Sequence, residues 1–133
     1  MRVMLDTNVL ASAAATRGLC ADVLRAVLSE HDLVICPQIV SELKRVLKDK
    51  FGLPRQLVDD FARFVRQDSI HCEAGGPIGI KLKDKDDLGI LSAAVGGGVD
   101  VLVTGDKELQ TVGTVVGLKI MSPRQFWQEL GKG

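Results

Sequence analysis

The stretch MRVMLDTNVLASAAA, residues 1–15, decides the fold. An apolar run from Val3 to Leu5 ends in Asp6, and Thr7 and Asn8 follow at once. The run is far too short to span a membrane and has the length of a buried strand. Asp and Asn are turn residues that bond to their own backbone. Asp6 therefore marks either a turn or a functional site, and the rest of the chain has to decide which.

The chain has 133 residues, enough for a single domain, 1–133, with a real core. It is 46% hydrophobic and 26% charged, an ordinary globular mixture. Lys+Arg and Asp+Glu both total 17, so the chain has no global basic field of the kind that coats nucleic acid. Contact with nucleic acid has to come from local patches or from metal ions. Cys20, Cys36 and Cys72 are odd in number and form no CxxC pair, which suggests neither a zinc site nor a disulfide framework. Free thiols in a reducing cytosol are expected. The sequence shows no signal peptide or membrane span, and a cytoplasmic protein without membrane contact is expected.

Outward from the first strand, residues 18–29 carry Leu19, Val23, Leu24, Val27 and Leu28 at helical spacing. Residues 33–36 form a second apolar run, and Pro37 opens a helix that runs to about Lys50. Pro54 begins another, to Gln67, with Leu57, Val58, Phe61, Phe64 and Val65 expected inward. Residues 69–73 read as a short strand and residues 74–80 as a glycine-rich loop. A helix over 86–96, strands over 99–103 and 119–121, and a last helix over 123–130 complete the pattern. Alternating strands and helices imply an α/β fold with a mostly parallel sheet of four to five strands between helices. Such a sheet places its site beyond the carboxyl ends of its strands. Asp6, Thr104 and Asp106 all fall just after predicted strands.

Four acidic positions then stand out. Asp6 follows the first strand, and Glu42 lies in the second turn of the helix opened by Pro37, flanking its apolar stripe. Asp84, Asp86 and Asp87 crowd a helix start in KLKDKDDLGIL, and Asp106 follows VDVLVTG. Each has a plain alternative as a helix cap or a solvated side chain. Gathered at one sheet edge, the carboxylates would repel one another. A hard divalent cation, Mg2+ or Mn2+, relieves that and takes oxygen ligands. Carboxylate-held ions of this kind suit in-line attack on a phosphodiester. The chain offers no P-loop, no GxGxxG and no nucleophile elbow. A phosphoacceptor receiver domain needs paired acids after the first strand, where Asp6 stands alone. A haloacid-dehalogenase-type phosphatase wants a second Asp two residues after the first, where Asn8 stands.

The blocks MLDTNVLASA at 4–13, CPQIVSELKRVL at 36–47, DKDDLGILSAA at 84–94 and VDVLVTGDKEL at 99–109 resemble the PIN-domain ribonucleases, most closely the VapC-like toxins of toxin–antitoxin systems. The resemblance spans nearly the whole chain and implies a three-layer α/β/α fold. It implies that Asp6, Glu42, Asp87 and Asp106 are the catalytic, metal-holding acids. Asp84 and Asp86 remain alternatives for the third acid. Asn8 would orient Asp6 or a water, and Thr104 would line the site. The implied activity is Mg2+- or Mn2+-dependent RNA cleavage. The implied partners are an RNA substrate, a small antitoxin that reaches a groove near the first helices, and a second copy of the chain in a homodimer. The alternative is a PIN-fold module that binds RNA or protein without cutting; the complete acid set argues against it. Lys81, Lys83, Lys85 and Lys107 near the acids, and Arg45 and Lys48 on the helix of Glu42, are candidate phosphate contacts or simply a solvated surface. With no net charge, modest RNA affinity is expected.

Overall fold

A computed structural model describes residues 1–132. Four core strands are parallel and almost wholly apolar. β1 (Arg2–Leu5) pairs on one side with β2 (Asp32–Ile35) and on the other with β4 (Val101–Val103), and β6 (Leu118–Met121) lies beyond β4. Val3, Met4 and Leu5 are all buried, as are Val101, Leu102 and Val103. Successive residues of a strand point to opposite faces, so both faces of this sheet are covered.

The sheet is six-stranded, in the order β3-β2-β1-β4-β6-β5. Two of these strands are edge pieces: β3 (Ile70–His71) pairs parallel to β2, and β5 (Thr114–Val115) pairs antiparallel to β6. β5 raises the strand count above the expected four to five. It is a two-residue hairpin arm turning through Val116 and Gly117, and Thr114 and Val115 are too few to show an alternating pattern.

The helices are α1 (Thr7–Ala15), α2 (Leu19–Glu30), α3 (Pro37–Asp49), α4 (Arg55–Gln67), α5 (Lys85–Gly96), α6 (Lys107–Val112) and α7 (Pro123–Gly131). Helices α1 and α6 were not anticipated. α1 is rich in alanine, and α6 is only six residues long. On α4 the buried residues are Val58, Ala62 and Val65, with Phe61 half-buried. Leu57 and Phe64, expected inward, are exposed. Ala62 seats the helix on the core, and the larger neighbours turn outward. Among the described residues no helix is long and apolar enough to cross a membrane. Cys20, Cys36 and Cys72 are all free.

Chain order places β1 between β2 and β4, so the connection after β1 goes to one side of the sheet and β4 is reached on the other. The crevice at such a reversal, outside the carboxyl ends of the strands, is where open α/β sheets bind ligands. Asp6 leaves β1 at this point and Thr104 leaves β4.

The glycine-rich segment 74–80 is tied to the fold at Gly75. A Cβ built there would run into the carbonyl oxygen of Ser92 on α5. Gly75→Ala should cost roughly 1–3 kcal/mol as overpacking against backbone. It should lower the urea midpoint at unchanged m. An unchanged midpoint would show that the segment does not pack on α5.

Candidate functional site

Asp6 is a cap and a site residue at once. Its Oδ1 accepts the N–H of Val9 at 3.0 Å, capping α1, while its own N–H donates to the Val103 carbonyl at 3.1 Å. The parallel register pairs Leu5 with Val103, so the next positions, Asp6 and Thr104, are neighbours. Both are buried. The Thr104 hydroxyl donates to Asp6 Oδ2. That hydroxyl in turn accepts the N–H of Asp106 at 3.0 Å, which directs its proton toward Asp6. Burial pushes the Asp6 carboxyl up, against the pull of the Thr104 hydroxyl and the Val9 amide.

Asp106 caps α6, accepting the N–H of Leu109 at 3.0 Å. Asp84 caps α5, accepting the N–H of Asp86 at 2.8 Å. Three helix N-termini therefore meet the carboxyl edge of the sheet, and their free amides offset part of the negative charge gathered there.

Asp87 lies in the first turn of α5 and is half-buried, whereas Asp84 and Asp86 are exposed. Its carboxyl is pushed up to about 7, first by burial and then by the charges of Asp106, Asp84 and Asp6, with a hydrogen bond to Asp106 adding to the effect. Asp87 is thus the acid of the DKDD run that faces Asp6 and Asp106. Asp84 acts from the rim as a cap, and Asp86 stands exposed in the same first turn.

Glu42 is half-buried beside this group and is held at both oxygens. Thr7 Oγ1 donates to Oε2 at 3.2 Å, and Gln38 Nε2 donates to Oε1 at 3.3 Å. Its charge acts on the Cys36 thiol and is not among those acting on Asp87. The structure therefore brings Asp6, Asp87 and Asp106 together and ties Glu42 to them through Thr7, the residue after Asp6. The Asn8 side chain is exposed and accepts from Lys50 Nζ at 2.9 Å. Its contribution to Asp6 is its backbone N–H.

The reading of the sequence did not single out Thr7 or Gln38. Gln38 and Glu42 stand at i and i+4 of one helix, a spacing that pairs side chains and is visible in the sequence. Gln38 also needs the bare backbone of Gly89 on α5, because a Cβ there would collide with its amide. Thr7 carries no signal beyond its place after Asp6.

Among the described residues, no three of His, Cys, Asp or Glu stand as a closed set around one point where an ion would sit. Asp6, Asp87 and Asp106 offer only oxygen donors.

The raised Asp87 carboxyl predicts a pH effect on the metal-free protein. Between the ordinary value of 3.8 and about 7, the folded state holds a proton that the unfolded state has lost. Stability from this group is complete below 3.8 and falls as pH rises toward 7. Asp87→Asn should remove that slope and stabilise the metal-free protein at pH 7. Solvent screening leaves about 1 kcal/mol, a rise of roughly 3–5 °C in Tm for a chain of this size. Equal Tm values for both proteins from pH 5 to 8 in EDTA would contradict the crowding of these carboxylates.

A family model described as PIN domain matches residues 2–108. The crystal structure of VapBC2 from Rickettsia felis, bound to a DNA fragment from their promoter, contains a chain of similar fold. The TM-score is 0.66 at 17% identity, over 90% of this chain and 98% of that one. Comparison with curated proteins gives no match. The matched residues take in β1 with Asp6, α3 with Glu42, the first turn of α5 with Asp87, and β4 with Thr104 and Asp106; the chain belongs to the PIN domain family.

Proposed function

We propose that this chain is a metal-dependent endoribonuclease and the toxin of a toxin–antitoxin pair, acting on RNA in the cytoplasm. The observation that supports this best is the convergence of Asp6, Asp87 and Asp106 at the reversal point of the sheet, where burial first and then the neighbouring acids push the Asp87 carboxyl up. The all-oxygen donor set fits a hard divalent cation, Mg2+ or Mn2+. Asp6, Asp87 and Asp106 would hold it, with Glu42 beside them as the fourth acid. Such an ion supplies charge neutralisation and an acidified water for attack on a phosphodiester.

The chain's own residues prepare the site. Thr104 fixes the rotamer of Asp6 and keeps one carboxylate oxygen engaged. Thr7 and Gln38 hold Glu42 on the α1 and α3 side. Asp87 would have to give up its proton to hold an ion, so loading should weaken as pH falls below about 7.

The decisive assay is cleavage of a mixed-sequence single-stranded RNA with Mg2+, Mn2+ or EDTA, beside an Asp6→Asn/Asp106→Asn double variant. Cutting should need the metal and fall by at least about a hundredfold in the variant, the scale for losing a charge-stabilising group. A folded, metal-supplied protein that cuts no RNA would favour the non-catalytic binding module instead.

The VapBC2 structure holds its proteins on promoter DNA. By that likeness we assign this chain an antitoxin partner, and from the family resemblance a homodimer. Light scattering after size exclusion should give twice the chain mass. A monomer at micromolar concentration would remove the dimer.

A further inference from the structure

We infer that the groove between α3 and α4 binds the phosphate backbone of the RNA substrate and leads it to the acidic centre. This rests on the nuclease reading for the identity of the strand. Helix α3 leaves the carboxyl edge of the sheet at Pro37 and carries Glu42 in its second turn. Arg45 lies three residues further, a neighbour of Glu42 on the helix surface. Beyond it the groove opens to about 470 Å³, with Lys44, Arg45 and Lys48 on the α3 side and Arg55 across on α4. Asp49 and Asp59 are the acids on its wall.

Four cations therefore face two carboxylates on a chain whose total charge is zero. Asp59 is shared by Lys44 at 3.3 Å and Arg55 at 3.9 Å. Among the described residues Arg45 and Lys48 make no ion pair. A second groove along α4 adds Arg66, while Arg63 beside it is paired with Asp60 at 3.4 Å. The groove between α3 and α4 holds both signs, but Arg45 and Lys48 leave it with positive charge that Asp49 and Asp59 do not pair.

A chain of phosphates is the occupant that matches this pattern. Arg45 and Lys48 are spaced i, i+3, with Cβ atoms about 5–6 Å apart, so they reach neighbouring phosphates. Leu53 and Val58 give the groove an apolar wall for sugars or bases. The few unpaired cations imply a shallow salt dependence, in keeping with the absence of net charge.

The test measures fluorescence anisotropy of a labelled twelve-nucleotide single-stranded RNA between about 50 and 200 mM salt. The protein carries Asp6→Asn/Asp106→Asn so that nothing is cut. Adding Arg45→Gln and Lys48→Gln should weaken binding roughly tenfold and lower the salt slope by about 1.4, at about 0.7 per lost contact. Adding Asp49→Lys instead should tighten binding several-fold, a gain that misfolding cannot produce. With the acids restored, Arg45→Gln/Lys48→Gln should raise KM for the long RNA and leave cleavage of a trinucleotide unchanged. Groove-dependent binding, together with no cleavage by the metal-supplied protein that keeps Asp6 and Asp106, would support the groove and sink the nuclease reading alone. Equal affinities and slopes in all variants would overturn the groove. So would a loss confined to a labelled Glu-rich peptide, which would assign the face to a protein partner.

Discussion

The hydrogen bond from the Thr104 hydroxyl to the Asp6 carboxylate joins the ends of two parallel strands, and the arrangement of the site follows from it. It exists because the register pairs Leu5 with Val103. A slip by one residue would part Asp6 from Thr104 and draw either Arg2 or Asp6 into a sheet that is buried on both faces. The apolar packing of Val3 to Leu5 against β2 and β4 therefore sets the position of a polar group. The Asp106 amide fixes the hydroxyl from the other side. Fold and site are thus specified by the same register.

The acids at this edge have structural work as well as chemical work. Asp6, Asp84 and Asp106 each cap a helix. A cap stabilises a helix by about 1 kcal/mol, while their mutual repulsion acts the other way and falls most heavily on Asp87. Asp87 is not a cap, so its carboxyl has no backbone amide to offset burial. Turn and site, which seemed rival explanations of Asp6, are the same fact. The amide that caps the helix also orients the carboxylate.

Much of this was legible in the sequence because it depends on local pattern. The strands at 2–5 and 33–36, the helix opened by Pro37 and the acids after strands follow from hydrophobic runs and punctuation, and they agree with β1, β2 and α3 within a residue or two. Helix α1 was hidden because a run such as ASAAA has no strong apolar period, and α6 because it is short. The exposure of Leu57 and Phe64 depends on how α4 meets the core, which periodicity within one helix does not fix. Asp87 stood out in the sequence only through the family resemblance. The structure separates it from Asp84 and Asp86 by its half-buried place facing Asp6 and Asp106. The linkage of Glu42 to Thr7 and Gln38 needed the crossing of α1, α3 and α5, and Gly89 in particular, so no single segment revealed it.

On the proposed nuclease reading, the acids where the strands end form the centre of the site. That reading needs Asp6, Asp87 and Asp106 to be close neighbours. The most direct measurement is the pH titration of the Asp87 carboxyl carbon by NMR, without metal and with Mg2+. The account predicts a midpoint near 7 without metal and one well below it with Mg2+ present. A midpoint near the ordinary 3.8 in the metal-free protein would contradict it.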